Sequence, residues 1–362
     1  MGAPLLFVIA LLLLATGEAF KHPMTTRPQV VGLKRSQLEK GWTMPVARSE
    51  KRLTMSAVDF QYVFMLPVAA AVATCAITAG IGGAALFAPI FLLVFPLLGP
   101  EYAISSPAAA VATAILTESF GFGSGLVGYY RRGLIDLRLA LPFLCVSVPA
   151  SAFAASTVAQ HLDPILLKLV YTLLMLAVSA YLLSGGTGNE VAAGADVEGR
   201  AAGDDVFTKT DSAGTAYTYP ASAREFSSFS VTNALLTSFG GLLTGSLGVG
   251  IGEIALPSLL KRGVPVAVAA ATSTLVVALS AWTAAFFQLR ELAAEAEDGG
   301  LGSVVPVGLV IWLIPGVVVG AQVASRLQGR VQQEQLERVI GVLFGAIGLC
   351  FGCIVAQSLL VG

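Results

Sequence analysis

The sequence predicts an all-α polytopic membrane protein with two similar halves, each of about four spans plus a short broken helix. The composition is the first observation, because 56 % of the 362 residues are hydrophobic and only 12 % are charged. Soluble domains carry about 25 % charged residues. The second observation is a series of long apolar runs, which must be helical because lipid satisfies no backbone hydrogen bonds. The third is a glycine–proline pattern that occurs twice.

This pattern consists of two glycines separated by one residue, followed by a proline seven positions after the second glycine. The residues are Gly80, Gly82, Gly83 and Pro89 in the first copy, and Gly248, Gly250 and Pro257 in the second. Glycine and proline both destabilise a helix interior. Each copy therefore predicts a break in a membrane helix. Paired breaks at matching places in two halves point to a substrate site in transporters.

The order of features predicts an internal duplication, with a first transmembrane repeat over 57–184 and a second over 229–362. Gly82 and Gly250 lie 168 residues apart, and Thr113 and Ser273 lie 160 apart. By the same alignment Ile340 takes the place of Tyr171. Residues 185–228 are rich in Gly, Ala, Asp and Thr, with seven acidic and three basic residues, which predicts a disordered linker.

The N-terminal 56 residues differ from the rest. Residues 1–19 predict a signal peptide, since the apolar core Leu5–Leu14 is too short to span comfortably. The alternative is a short first membrane helix. Residues 20–56 hold eight Lys/Arg and two Glu, which is typical of a transit peptide. This order predicts the plastid membrane of a secondary-plastid alga; the alternative is a basic segment on an endomembrane or plasma-membrane protein.

The breaks predict a site for a small anion. Freed backbone N–H groups and the positive ends of half-helices attract negative charge. The alternative is close helix packing through small residues. Hydroxyl groups of Thr113, Thr272 and Ser273 lie in matching helices and are expected to donate hydrogen bonds to the anion. Their alternative is bonding to the carbonyl of the preceding turn.

Two acidic residues, Glu118 and Glu253, fall within apolar runs. An acid in the bilayer costs about 2.5–3.5 kcal/mol on insertion scales and usually marks a transport pathway. We therefore expect proton coupling, chiefly by Glu253. The alternative is structural pairing with a loop arginine. Ala85 takes the place of Glu253 in the first half, so the two halves are not expected to act symmetrically.

Other chemistries lack their motifs. The sequence has two histidines, no metal-ligand spacing, no possible Ser/His/Asp triad and no phosphate-binding P-loop. It therefore predicts no enzyme, no cofactor, no metal and no transport driven by ATP bound to this chain. The net charge of -1 gives no reason to expect nucleic acid. The expected partners are the lipid bilayer and a small anion, and a homo-oligomer stays open.

These motifs resemble the sulfite exporter TauE/SafE family over roughly residues 62–360. The resemblance rests on both breaks, the small-residue helix at Ala112-Thr113, Thr272-Ser273-Thr274, and Tyr130-Arg131-Arg132-Gly133-Leu134-Ile135-Asp136. It implies a multi-pass protein of two similar halves that moves sulfite, sulfoacetate or related small anions. It also implies that the glycines and prolines of the breaks form the site. The alternative function is a membrane scaffold or assembly factor that transports nothing.

Overall fold

The computed structural model describes residues 60–80, 82–99, 101–159, 164–185, 206–295, 305–327 and 333–361. Within these ranges the chain is mostly helical, as the sequence predicts. The expected signal peptide, the transit-like segment and residues 186–205 of the linker lie outside the described residues.

Ten helices form the described part of the bundle. The first five are α1 (Met65–Ala79), α2 (Ala84–Leu98), α3 (Pro107–Arg131), α4 (Leu137–Val158) and α5 (Pro164–Leu183). The second five are α6 (Val231–Leu247), α7 (Ile251–Lys261), α8 (Val266–Glu295), α9 (Val307–Leu327) and α10 (Gln333–Val361). A 3₁₀ turn, Phe60–Tyr62, precedes α1, and π-helical turns occur in α2 at Ile90–Val94 and in α4 at Ala154–Val158.

Six of the described helices are long and apolar enough to cross a membrane: α1 with its 3₁₀ turn, α3, α4, α8, α9 and α10. Two apolar helical segments are shorter, α2 and Lys168–Leu183 of α5, and α6 has 17 residues. The multi-pass architecture is therefore confirmed. The layout of four spans in each half stays a prediction.

A β-hairpin corrects two of the expectations, the all-α fold and the disordered linker. Strand β1 (Val206–Thr210) pairs antiparallel with β2 (Ala216–Pro220), with Thr208 opposite Thr218. Asp211 closes the turn, because its Oδ1 accepts hydrogen bonds from the N–H groups of Ala213 and Thr215 at 2.9 and 2.8 Å. The acidic composition of the linker concealed this local turn, and the linker is ordered over 206–228.

The hairpin is fixed to the α3–α4 loop through Asp136, which is 3 % exposed. Tyr219 donates its hydroxyl to Asp136 Oδ2 at 2.7 Å, and Arg224 Nε lies 2.9 Å from the same oxygen. Lys209 Nζ donates to the carbonyl of Ile135 at 2.8 Å. Strand, turn and loop therefore form one unit outside the candidate membrane spans, at this end of the bundle.

Two helix pairs run parallel, α1 with α9 and α4 with α6. Glycines on one helix of each pair face backbone atoms of the other helix, which allows a close approach. The contacts are Gly316 with Leu66 and Gly320 with Ala70 in the first pair, and Gly241 with Ser147 and Gly245 with Ser151 in the second.

Two other pairs run antiparallel, α5 with α10 and α3 with α8. In the first pair Gly341 meets Leu183, whereas Gly352 meets Thr172. In the second pair Trp282 Nε1 donates to the carbonyl of Ser119 at 2.8 Å. The residues after the end of α3 lie beside the start of α8, and this places α3 and α8 side by side in opposite directions.

Candidate functional site

Helices α1 and α6 both end inside the bundle at a glycine of the repeated pattern. Gly80 has φ 72° and Gly248 has φ 81°, the left-handed conformation in which glycine commonly ends a helix. Helix α2 begins directly after Gly83, and α7 begins directly after Gly250. Each glycine segment thus ends one helix and begins the next.

The two breaks contact each other. A side-chain carbon on Gly248 would lie 2.8 Å from Cβ of Ala84, at the start of α2. One on Gly252 would lie 3.1 Å from the carbonyl oxygen of Gly80. The structure therefore brings together the glycines that the sequence analysis singled out, and the N-termini of α2 and α7 meet where they cross. This arrangement allows close packing of the two breaks, and a ligand site between them stays a prediction.

Glu253 links the two breaks by hydrogen bonds. It is the third residue of α7, and its Oε2 accepts from the N–H of Gly250 at 3.0 Å, which caps its own helix. Its Oε1 accepts from the N–H of Gly82 at 3.3 Å, across the crossing. A negative carboxylate at these positions is favoured by the positive ends of both helices.

Glu118 supplies a second carboxylate from the middle of α3. The side chain is 2 % exposed, and its Oε1 accepts from the N–H of Gly83 at 2.7 Å. Among the described residues its Oε2 has no hydrogen-bond partner. The expected alternative of pairing with a loop arginine does not describe these contacts, since the recorded partners of both carboxylates are backbone amides.

The predicted hydroxyl donors behave differently from one another. Thr113 donates to the carbonyl of Ala109 at 2.7 Å, which is the back-bonding alternative. Thr272 lies near the α3–α4 loop, where its Oγ1 accepts from the N–H of Asp136 at 3.2 Å. Ser273 is buried, and within the described part of the chain its Oγ has no partner. Thr113 and Thr272 are thus engaged with backbone groups outside the breaks, whereas Ser273 as a ligand of the anion stays a prediction.

Sequence reasoning missed Thr244, one turn before Gly248. Its Oγ1 accepts from the N–H of Ile251 at 3.0 Å, which satisfies the first amide of α7. A hydroxyl four residues before a glycine that ends a helix is a signal that could have found it.

Sequence reasoning also missed Tyr171 on α5. Pro89 has no N–H, so the carbonyl of Ala85 lacks the bond that a regular helix would give it. The Tyr171 hydroxyl lies 3.3 Å from that oxygen and 3.2 Å from the carbonyl of Ala84. It therefore stabilises the first turn of α2 from outside. No local pattern predicts this contact, because it joins residues more than 80 positions apart.

A cavity of about 330 Å³ adjoins the second break. Its wall is mostly apolar and comes from α5, α6, α7 and α10, with Ala79 at the end of α1. The polar side chains and glycines in its lining belong to the break, to α7 and to α5, namely Gly250, Gly252, Glu253, Ser258, Lys261 and Tyr181. Pro257 and Ile340 also line it. The cavity brings open space to one side of the Glu253 carboxylate.

The arrangement offers backbone N–H donors at two opposed helix N-termini, which suits an anion rather than a metal ion. Among the described residues no group of three His, Cys, Asp or Glu is placed to hold a metal. A family model for the sulfite exporter TauE/SafE matches residues 65–351. The chain belongs to the TauE/SafE sulfite exporter family.

The match spans both breaks, both carboxylates and the hairpin of this TauE/SafE protein, so it confirms the resemblance and the transporter class. No curated protein and no solved structure matches the chain.

Proposed function

We propose that this TauE/SafE protein is a secondary transporter of a small oxyanion, sulfite or an organosulfonate, bound where α2 and α7 meet. One observation carries the proposal. Three N–H groups from two opposed breaks, those of Gly82, Gly83 and Gly250, point at carboxylate oxygens inside the bundle. A site that binds carboxylate oxygens in this way also suits the oxygens of sulfite or a sulfonate.

The physical basis is the partial positive charge at helix N-termini. Backbone N–H groups there bind anions without a fixed cation, which would be costly in the membrane. Hydrogen bonds to an ionised acceptor are roughly twice as strong as neutral ones. Two N-termini that meet therefore make a site for a negatively charged group.

The helix packing supports an inverted duplication of the two halves. The duplication equates α3 with α8 and α5 with α10, and both of these pairs run antiparallel. It also equates α1 with α6 and α4 with α9. The parallel pair α1–α9 then corresponds to the other parallel pair, α6–α4. Inverted repeats with broken helices at their interface are a common basis of alternating access in secondary transporters.

Flux measurements test this function. The full chain is reconstituted in proteoliposomes, and labelled sulfite, sulfoacetate and sulfate are followed with and without an imposed pH gradient. We expect saturable flux of at least one of these anions above that of empty vesicles. Glu101→Gln changes an exposed acid outside the breaks and should transport as the wild type does. Folded protein with no flux of any of the three would contradict transport and favour the scaffold alternative.

A further inference from the structure

The N–H groups offered to a substrate at the two breaks are already occupied. Glu253 takes those of Gly82 and Gly250, and Glu118 takes that of Gly83. An N–H group makes one strong hydrogen bond, so a bound anion and these carboxylates compete for the same donors.

Charge makes the competition stricter. An anion that enters beside Glu118 and Glu253 meets two carboxylates in a region of low dielectric constant, where like charges repel strongly. Protonation removes both obstacles, because a neutral carboxyl group no longer repels the anion and is a weaker hydrogen-bond acceptor.

We propose that Glu118 and Glu253 are resident ligands of the anion site, which the substrate displaces and which take up protons as they leave. This inference rests on the proposed anion transport. In each step one carboxylate gives up its N–H bonds and takes one proton from a hydronium ion or buffer acid in the solution, whose conjugate base stays in solution, while the substrate oxygens accept those N–H bonds. Release of the substrate reverses the step, and no other bond is made or broken.

The surroundings of the two carboxylates agree with this role. Glu118 Oε2 is buried and accepts no hydrogen bond within 3.5 Å among the described residues, which leaves it available to a proton, and the backbone N–H of Ala84 also lies beside this carboxylate. Glu253 borders the cavity, which gives it a route to substrate and solvent. The other ionisable groups nearby are Lys261 and Tyr181, in the wall of the same cavity, and Tyr171, whose hydroxyl bonds the carbonyls of Ala84 and Ala85.

The two carboxylates differ in the number and length of their hydrogen bonds and in their access to the cavity. The bonds of Glu253 are 3.0 and 3.3 Å long, whereas that of Glu118 is 2.7 Å. Glu253 is also the one beside the cavity. We therefore expect Glu253 to be displaced first and to account for most of the proton uptake.

Calorimetry of the wild-type chain tests the proposal directly. The anion with the highest flux is titrated into the detergent-solubilised protein in two buffers of different protonation enthalpy, at a pH where the free anion holds no exchangeable proton. We expect roughly one proton taken up for each carboxylate displaced. Glu253→Gln should remove most of this uptake and tighten anion binding roughly tenfold, since a neutral amide competes less well.

Glu118→Gln should show a smaller effect of the same kind, and Glu101→Gln should show none. Thermal unfolding identifies any variant that fails to fold, and the wild-type titration stands without the variants. Anion binding without proton uptake in the wild type would overturn the inference and leave anion transport intact. Uptake that is unchanged in both folded glutamine variants would also overturn it. Absence of both binding and flux for every anion would instead overturn the proposed function.

Discussion

The two breaks share a backbone conformation and differ in what surrounds it. Both end a helix at a left-handed glycine, and both place a carboxylate at the following helix N-terminus. At the second break the carboxylate comes from the same helix, through Glu253. At the first break Ala85 cannot play that part, and Glu118 reaches in from α3. Both helix N-termini thus bind a negative group, but the residue that supplies it lies in the same helix in one case and in another helix in the other.

The prolines show the same contrast. Next to Pro89 the hydroxyl of Tyr171 fills the space and bonds the carbonyl that the proline leaves free. Beside Pro257 the residue that corresponds to Tyr171 is Ile340, which has no hydroxyl, and a cavity of about 330 Å³ lies there. The first break is therefore closed beside its proline by a side chain, whereas the second borders a cavity beside its proline. This difference makes the second break the expected place of ligand approach.

Gly248→Ala should disrupt the left-handed backbone conformation that the two breaks share. We expect it to cause the largest loss of stability and of flux. The new Cβ would lie 2.6 Å from Ile115 Cγ1 and 2.8 Å from Ala84 Cβ, at a φ of 81°. The left-handed conformation costs about 1–2 kcal/mol and overpacking about 1–3 kcal/mol more. Thermal unfolding in detergent and flux assays should both show the loss.

Gly83→Ala is the matched control for this change. Its φ is -68°, and the nearest atom to the new Cβ would be 3.7 Å away. The variant should therefore unfold close to the wild-type temperature. Equal destabilisation of the two variants would show that the crossing of the breaks tolerates no side chain at all, whatever the backbone angle.

Alanine substitution of Glu253 and Glu118 compares a carboxylate within the helix that it caps with one that comes from another helix. Glu253→Ala leaves the N–H groups of Gly82 and Gly250 without acceptors, and each unmet donor costs about 1–3 kcal/mol. Glu118→Ala frees the N–H of Gly83 but also removes an oxygen that has no partner in the described structure. Chemical unfolding should therefore show the larger loss for Glu253→Ala. The reverse order would mean that Glu118 carries the crossing.

Tyr171→Phe tests the sealing of the first break and should have a moderate effect. It keeps the ring but removes the hydroxyl that bonds the carbonyls of Ala84 and Ala85. One lost hydrogen bond of this kind costs about 1 kcal/mol. Tyr130→Phe, at a tyrosine that is 76 % exposed, is the control and should leave the unfolding temperature unchanged. A null result for both would assign the seal to the packing of the ring alone.

The sequence predicts the parts of the site that depend on local backbone chemistry. Glycine at Gly80 and Gly248 and the buried acids are visible in the chain itself, because helix breaking and the cost of charge in lipid are local properties. The hydrogen-bond partners that complete the first break are not visible in the same way. Tyr171 and Glu118 reach the first break from other helices, so their roles follow only from how the helices pack. The hairpin was missed because an acidic, glycine-containing composition concealed one well-formed turn.

Asp136 offers the same kind of test outside the candidate membrane spans, with the smallest expected effect. Burial favours the neutral carboxyl, but the hydroxyl of Tyr219 and the charge of Arg224 outweigh it and hold the pKa of Asp136 below its usual value. A lowered pKa means that this carboxylate adds stability above its unfolded pKa of about 3.9, and that the contribution is lost as pH falls through the folded pKa. At neutral pH, Asp136→Asn should therefore loosen the hairpin by about 1 kcal/mol. Trypsin cleavage after Lys209 should become faster, with little further change on acidification, whereas Glu225→Gln should cleave as the wild type does. Equal cleavage of wild type and Asp136→Asn at neutral pH would show that ring and backbone contacts hold the hairpin. Glu118 and Glu253 at the breaks would then remain as buried carboxylates that we expect to stabilise the described structure.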